Sequence, residues 1–181
     1  MKTITLTGNR PWELAIQHPE DKRIAIIKEA IRRKLISMID NGLEWVIMTG
    51  QIGVELWAAE IILDLKESYP IKLGIFPPFL EYESRWPDFY QAKFQEIIEA
   101  SDFYQPLYPK TYEGPYQLKN KDNWLIDKTD GACILGDEEY LGSVTFFAEK
   151  AKKAVEAGNY EILFITPFDL EDVAREMAEE N

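Results

Sequence analysis

Short apolar runs alternate with amphipathic helical patterns along the chain, and no other feature constrains the fold as strongly. The apolar runs predict strands over 2–7, 44–49, 71–76, 102–107, 131–135 and 160–166. Apolar residues spaced three or four apart predict helices over 21–41, 53–67, 87–100, 116–128, 143–157 and from 169 onwards. Because strands that alternate with helices form a mostly parallel sheet with helices on both faces, we expect an α/β three-layer sandwich.

The net charge and the counts of His and Cys exclude several classes of function. The 181 residues include 20 Lys and Arg against 32 Asp and Glu, and the net charge of −12 argues against broad nucleic-acid binding. One His and one Cys cannot build a zinc site of the usual type, so we expect no metal. Cys133 has no partner for an internal disulfide, and no signal peptide or membrane-length apolar run is visible. We expect one domain over 1–181, in the cytoplasm and without membrane contact.

Two glycine-containing turns follow the first two predicted strands, where a parallel sheet binds its ligands. Gly8-Asn9-Arg10 lets a ligand approach the backbone and offers Arg10 to an anion, or it is a plain turn with a surface arginine. Gly50-Gln51-Ile52-Gly53 leads into a helix whose free N–H groups and positive dipole end favour a phosphate. Glu55 follows in the first helical turn, where it contacts a ribose hydroxyl, acts as a base or only favours the dipole.

Polar residues near the later strands are further candidates. Gly142 and Ser143 precede a helix, and they form either a second anion site or an ordinary N-cap. Asn123 and Asp127 are four apart on one helical face, and Asp130 leads into the next strand. These three either lie over the cleft and bind hydroxyls or a base edge, or belong to a solvated helix with its caps.

Aromatic residues follow the third predicted strand. Phe79, Tyr82 and Trp86 lie within eight positions of one another, and aromatic residues make up 13% of the chain. A stacking platform for a nucleobase and ordinary packing are both consistent with this cluster. Of the three, Trp86 is our candidate ligand contact.

Five segments carry a family resemblance. They are Thr7-Gly8, Gly42-Leu43-Glu44-Trp45, GQIGVELWAAE over 50–60, Pro78-Phe79 and IDKTDG over 126–131. Together they resemble the YpsA family of small cytoplasmic proteins of Gram-positive bacteria, over essentially the whole chain. That family is grouped in the SLOG superfamily, whose relatives include the DNA-processing protein of natural transformation and the cytokinin-activating phosphoribohydrolases. The resemblance implies a Rossmann-like fold.

The resemblance also implies a ligand class. It points to a nucleotide-derived molecule, ADP-ribose-like or a nucleotide sugar, in a protein associated with cell division and stress physiology. The DNA-processing relative has features similar to Gly8-Asn9-Arg10, 53–55, Asn123, Asp130 and Gly142-Ser143. This similarity implies that these residues share one cleft. No reaction is implied, because the phosphoribohydrolases carry their catalytic carboxylate where this chain has Trp57.

Three hypotheses about function follow. The first is a module that binds or senses a nucleotide-like ligand. The phosphate of the ligand would bind at 50–53, Arg10 would neutralise its negative charge, and Glu55 would bind its ribose. The second is a hydrolase of an N-glycosidic or nucleotide-sugar bond in which Glu55 is catalytic. The third is a protein-interaction module with a vestigial cleft, whose acidic tail over 169–181 docks a basic partner. Self-association is a further expectation, and no cofactor is certain beyond the nucleotide-like ligand.

Overall fold

The computed structural model describes residues 1–180 and contains a sheet of six parallel strands. The strands are β1 (Thr3–Gly8), β2 (Trp45–Met48), β3 (Lys72–Ile75), β4 (Phe103–Tyr104), β5 (Gly131–Leu135) and β6 (Glu161–Ile165). Their spatial order is β4-β3-β2-β1-β5-β6, and each neighbouring pair is parallel. The strand order therefore reverses between β1 and β5, which is where such folds place their ligand sites.

Helices cover both faces of the sheet. They are α1 (Lys22–Asp40), α2 (Val54–Leu65), α3 (Asp88–Ala100), α4 (Pro115–Asp127), α5 (Thr145–Glu156) and α6 (Pro167–Glu180). α1, α2, α3 and α6 pack on one face, and α4 and α5 pack on the other. The predicted α/β three-layer sandwich, Rossmann-like in arrangement, is confirmed. Within residues 1–180, no helix combines the length and the apolar character needed to cross a membrane.

The strands at the centre of the sheet are buried on both faces. Ile4 and Leu6 of β1 pack into the core beneath α1 and α2, whereas Ala132 and Ile134 of β5 pack beneath α4 and α5. A strand covered on both sides has to be apolar throughout, which explains the continuous run Gly-Ala-Cys-Ile-Leu over 131–135. This rigid centre fixes the positions of the loops that leave β1 and β5.

The boundaries of several elements differ from the sequence-based prediction. The strand expected over 102–107 shortens to the two residues of β4, because Pro106 has no N–H to continue the ladder. The final helix begins at Pro167, two residues before the predicted start, since proline suits the first turn of a helix. Pro87, expected as the first helical residue, occupies the N-cap of α3 instead.

Candidate functional site

A cleft opens at the carboxyl ends of β1 and β2, beside the point where the strand order reverses. α4 and the loop after β5 close its other side. Its inner cavity of about 50 Å³ admits only groups of about the size of water molecules, and the cleft opens to solvent beyond it, so the bulk of a larger ligand would lie at this open mouth. The lining is rich in polar groups; its residues are Thr5, Leu6, Thr7, Gly8, Arg10, Met48, Thr49, Gln51, Glu55, Tyr82, Lys121, Asp122, Leu125, Ser143, Val144 and Phe147.

Glu55 organises the loop between β2 and α2. Its Oε1 accepts hydrogen bonds from the Thr49 N–H at 2.9 Å, the Thr49 hydroxyl at 2.8 Å, the Gly50 N–H at 3.1 Å and the Gln51 N–H at 3.4 Å. Its Oε2 accepts from the Thr7 hydroxyl at 2.9 Å, and the residue is only 7% exposed. The loop N–H groups expected to bind a phosphate therefore bind the protein's own carboxylate.

Two of the predicted site glycines are required by close packing within the protein. Gly53 has φ +103°, and a Cβ there would lie 2.6 Å from the carbonyl oxygen of Asn9. A Cβ on Gly8 would lie 2.6 Å from Cγ1 of Val54. Both glycines let the loop after β1 approach the start of α2. They shape the cleft, and their close neighbours are protein atoms.

Glu13 occupies the predicted second anion site. Its carboxylate accepts hydrogen bonds from the Ser143 N–H at 2.8 Å, the Ser143 hydroxyl at 2.6 Å and the Arg10 N–H at 2.9 Å. Partial burial raises the pKa of Glu13, but these hydrogen bonds outweigh it and the pKa is lowered overall. The alternative of an N-cap at Ser143 is also wrong, because α5 begins at Thr145 and Ser143 lies in a 3₁₀ turn that starts at Gly142.

Two buried polar atoms in the cleft have no hydrogen-bond partner. Among the side chains of residues 1–180, the buried nitrogen or oxygen atoms without a partner are Arg10 Nε and Asp122 Oδ1. Asp122 is 6% exposed, and Lys121 Nζ lies 2.7 Å from its Oδ1 in a direction that forms no hydrogen bond. Since a buried polar atom without a hydrogen-bond partner is costly, a water molecule or a bound polar group next to these two atoms would stabilise the protein.

Tyr82 closes one side of the cleft. The Gln51 side-chain amide donates a hydrogen bond to the Tyr82 hydroxyl at 2.6 Å. Burial raises the pKa of Tyr82 well above its ordinary value, and the nearby Glu55 carboxylate raises it further. The phenol is therefore neutral at physiological pH and can offer its proton as a hydrogen-bond donor.

Most of the predicted residues converge on the cleft. Gly8, Arg10, Gln51, Glu55 and Ser143 line it. The two remaining glycines of the loop, at positions 50 and 53, both have positive φ and shape that loop.

Four predicted residues lie outside the cleft lining. Gly142 has φ +56° and lies against the Glu13 carboxylate. Trp86 lines a neighbouring aromatic pocket. Asn123 is exposed on α4, outside the cleft lining. The Asp130 carboxylate accepts hydrogen bonds from the N–H groups of Lys2 and Thr3, at 2.8 and 3.0 Å, at the amino-terminal ends of β1 and β5, opposite the cleft. The expectation that Asn123 and Asp130 lie over the cleft is wrong.

Sequence reasoning missed Asp122 and Glu13. Asp122 lies three residues before the buried Leu125, so helical periodicity places both on the inner face of α4. That signal was available in the sequence. Glu13 had no comparable signal, because its partner Ser143 lies 130 positions away. Within residues 1–180, no group of three or more His, Cys, Asp or Glu side chains is placed to hold a metal ion.

The fold and the cleft define a doubly wound parallel α/β protein with a polar site at its switch point. The chain belongs to the YpsA family: the profile described as the YspA SLOG family matches residues 4–170. UPF0398 protein OB1025 of Oceanobacillus iheyensis is 45% identical over 177 residues, which cover 98% of this chain and 95% of the relative. UPF0398 protein YpsA of Bacillus subtilis is 41% identical over 171 residues, covering 94% and 95%. The resemblance drawn from the sequence is confirmed.

A solved structure is also similar. DNA processing protein A from Helicobacter pylori, studied for its single-stranded DNA binding mode, matches with a TM-score of 0.50 and 14% identity. The match covers 98% of this chain and 81% of that chain. At this identity the likeness supports the shared fold alone.

Proposed function

We propose that the chain binds a small nucleotide-derived ligand in this cleft. The observation that carries the proposal is the pair of buried atoms without a hydrogen-bond partner, Arg10 Nε and Asp122 Oδ1, of which the second forms an ion pair with Lys121. The first is a donor that suits a phosphate oxygen, and the second is an acceptor that suits a sugar hydroxyl or an amino group. A sugar phosphate offers both groups on one molecule. Lys121 also lines the cleft, where its ammonium group pairs with the Asp122 carboxylate at 2.7 Å.

This proposal changes the roles first expected of the residues at the loop. The phosphate would lie against Arg10 and not on the N–H groups of 50–53, since Glu55 already accepts from those of Gly50 and Gln51, and the Ile52 N–H donates to the Gln51 side chain. The sugar would meet Asp122 and not Glu55. A vestigial cleft is the competing hypothesis, in which water molecules in the cavity satisfy Arg10 Nε and Asp122 Oδ1.

Catalysis by Glu55 is disfavoured by its hydrogen bonds within the protein. Both oxygens of its carboxylate already accept hydrogen bonds from the protein, so it has little capacity to accept a proton from water or substrate. We therefore propose binding or sensing without hydrolysis of an N-glycosidic bond. Incubation with AMP and ADP-ribose should release neither base nor ribose phosphate. The link to cell division or stress physiology rests on the resemblance alone and stays a prediction.

Calorimetry with matched variants tests the proposal. The probes are ribose 5-phosphate, AMP and ADP-ribose, with single-stranded DNA as a polymer control that the net charge of −12 should exclude at physiological salt. Arg10→Gln and Asp122→Asn should each raise Kd at least tenfold, which corresponds to about 1.4 kcal/mol. The matched controls Arg175→Gln and Asp127→Asn change exposed positions outside the cleft and should bind normally.

Two results would contradict the proposal. One is that no probe binds to the wild-type protein. The other is that the cleft variants and their controls bind a probe equally well. Gly53→Ala is unsuitable as a test, because its added Cβ would collide with the loop after β1 whether or not a ligand binds.

A further inference from the structure

An aromatic pocket adjoins the cleft at the loop between β3 and α3. Its volume of about 390 Å³ falls within the roughly 300–1,000 Å³ of small-molecule sites. Phe79, Tyr82, Trp86 and Tyr112 supply its aromatic lining. Tyr82 belongs to both cavities, because its hydroxyl accepts from Gln51 inside the cleft while its ring lines the pocket. The cleft and the pocket are therefore neighbours on the two sides of this residue.

The rings of the pocket are held by one another. Phe79 and Tyr82 meet edge to face at 5.3 Å between ring centroids, and Tyr82 and Trp86 do so at 5.4 Å. Trp86 in turn packs against Phe94 of the core at 5.2 Å. Tyr112 contacts Phe79 at 5.2 Å but remains 51% exposed, so part of its surface is open to a ligand. Such an arrangement suits a planar ring, which gains from stacking on aromatic surfaces.

The two loops that form the pocket are tied together by their backbones. The Leu80 N–H donates to the carbonyl oxygen of Lys110 at 2.9 Å, and the Leu107 N–H donates to that of Pro77 at 2.8 Å. The pocket is therefore formed before any ligand enters, which reduces the entropic cost of binding. The side chain of Ser84 also lines it and offers a hydroxyl to the edge of a base.

We propose that the base of a nucleotide stacks in this aromatic pocket while its sugar and phosphate occupy the cleft. This inference rests on the proposed function and adds the location of the base, which is the aromatic pocket. Tyr82 forms the wall between the two halves of the ligand. The ligand is then a nucleotide in which the base contributes to affinity, rather than a bare sugar phosphate.

A second pocket adjoins the cleft at Lys121 and is the competing location for the base. Its volume is about 380 Å³, and its lining includes Phe76, Tyr108 and Trp124. In that pocket Phe76 already packs on Trp124 at 4.7 Å and on Phe103 at 5.5 Å, so its ring faces are less available. The aromatic pocket at Tyr82 is favoured because it has four aromatic side chains against three here, and because its Tyr112 is 51% exposed.

The test measures how much the base adds to affinity. Calorimetry gives the ratio of Kd for ribose 5-phosphate to Kd for each of AMP, GMP, CMP and UMP. In the wild-type protein at least one nucleotide should bind tenfold more tightly than ribose 5-phosphate. Tyr112→Ala should reduce that ratio at least threefold, whereas Tyr116→Ala, which changes another exposed tyrosine outside the pocket, should leave it unchanged. Arg10→Gln should weaken all probes together and preserve the ratio.

Three outcomes would overturn the inference. They are a wild-type ratio near one, a ratio that survives Tyr112→Ala, and a ratio lost in Tyr108→Ala instead, which would assign the base to the second pocket. In each case ribose 5-phosphate binding that depends on Arg10 would leave the proposed function standing. Failure of every probe to bind would remove both proposals. Tryptophan fluorescence gives a second readout, because the bound nucleotide should quench it in the wild type but not in Trp86→Phe.

Discussion

At the scale of single residues, Glu55 shows how a carboxylate can define a site without touching a ligand. Five protein donors converge on it, from Thr7, Thr49, Gly50 and Gln51. Those donors belong to the ends of β1 and β2 and to the loop that follows β2. The carboxylate thereby holds two strand ends together at the floor of the cleft, which is a positioning role.

The substitution Glu55→Gln tests this role. Glutamine replaces one acceptor oxygen with an NH₂ group that faces N–H donors, so we expect the free energy of unfolding to fall by about 2–4 kcal/mol. Urea denaturation followed by circular dichroism measures the change. Glu60→Gln is the matched control on the same helix, where the side chain is 25% exposed and pairs with Lys28 and Lys93, and its cost should stay below about 1 kcal/mol. Equal stability of wild type and Glu55→Gln would show that the hydrogen bonds to Glu55 are not structural.

The candidate site could be predicted from sequence only where its residues lie next to a strand end. Arg10, Gln51 and Glu55 follow β1 and β2 directly, and the topology of a parallel sheet brings such residues together. Asn123 and Asp122 are neighbours about 100° apart around α4, and the choice between them depends on which face of the helix is buried. The role of Asp130 depends on a hydrogen bond to a backbone 127 and 128 positions away, which no local pattern reveals.

At the scale of elements, the Asp21 carboxylate at the start of α1 makes the stability of the folded protein depend on pH. The Asp21 side chain caps the helix by accepting from the Arg23 N–H at 2.9 Å, and it also pairs with the Arg23 guanidinium. Hydrogen bonds from the Arg23 side chain and backbone lower the pKa of Asp21 to about 2. Because the folded-state pKa is depressed, the stabilisation is present above the unfolded value near 3.8 and is lost as pH falls towards 2.

Asp21→Asn should therefore be less stable than the wild type at pH 7, by an amount that shrinks between pH 4 and pH 2. Asparagine keeps an oxygen for the cap but loses the charge that pairs with Arg23. Urea denaturation at pH 7, 4, 3 and 2 measures the difference in the free energy of unfolding between the wild type and the variant. The other carboxylates are the same in both proteins, so their contribution to acid sensitivity cancels in this difference. Arg23→Gln removes the partner and should show the same trend. A difference that stays constant with pH would mean that the charge of Asp21 does not stabilise α1.

The elements themselves were predictable because their apolar periodicity is local. The buried face of α1 consists of the residues expected from spacings of three and four; they include Ile24, Ile27, Ile31, Leu35 and Met38. The role of the acidic tail was harder to predict, because it depends on contacts with a distant helix. α6 buries Val173 and pairs Glu176 with Arg33 of α1, so it is a packed helix and not a free docking segment. Removing 169–181 would disturb the core, and charge substitutions on α6 are the better test for a partner.

At the scale of the whole molecule, Cys133 reports on the opening of the sheet. It lies in β5, opposite Leu6 of β1 and Leu163 of β6, and is 1% exposed. Burial raises the pKa of its thiol to about 12, so the reactive thiolate is scarce as well as inaccessible. Within the described structure, a labelling reagent reaches this thiol only when the central strands separate.

Labelling of Cys133 by a thiol reagent at pH 8 therefore measures stability and ligand binding together. We expect the native protein to react at least about 1,000-fold more slowly than the urea-unfolded protein, since opening the centre of a domain costs at least about 5 kcal/mol. A ligand of the cleft at 100 times its Kd should slow the reaction roughly a further 100-fold, because it binds only the closed protein. In Arg10→Gln the same ligand concentration should give much less protection. Rapid labelling of the native protein would show that β5 opens locally, and full protection of Arg10→Gln would place the ligand outside the cleft.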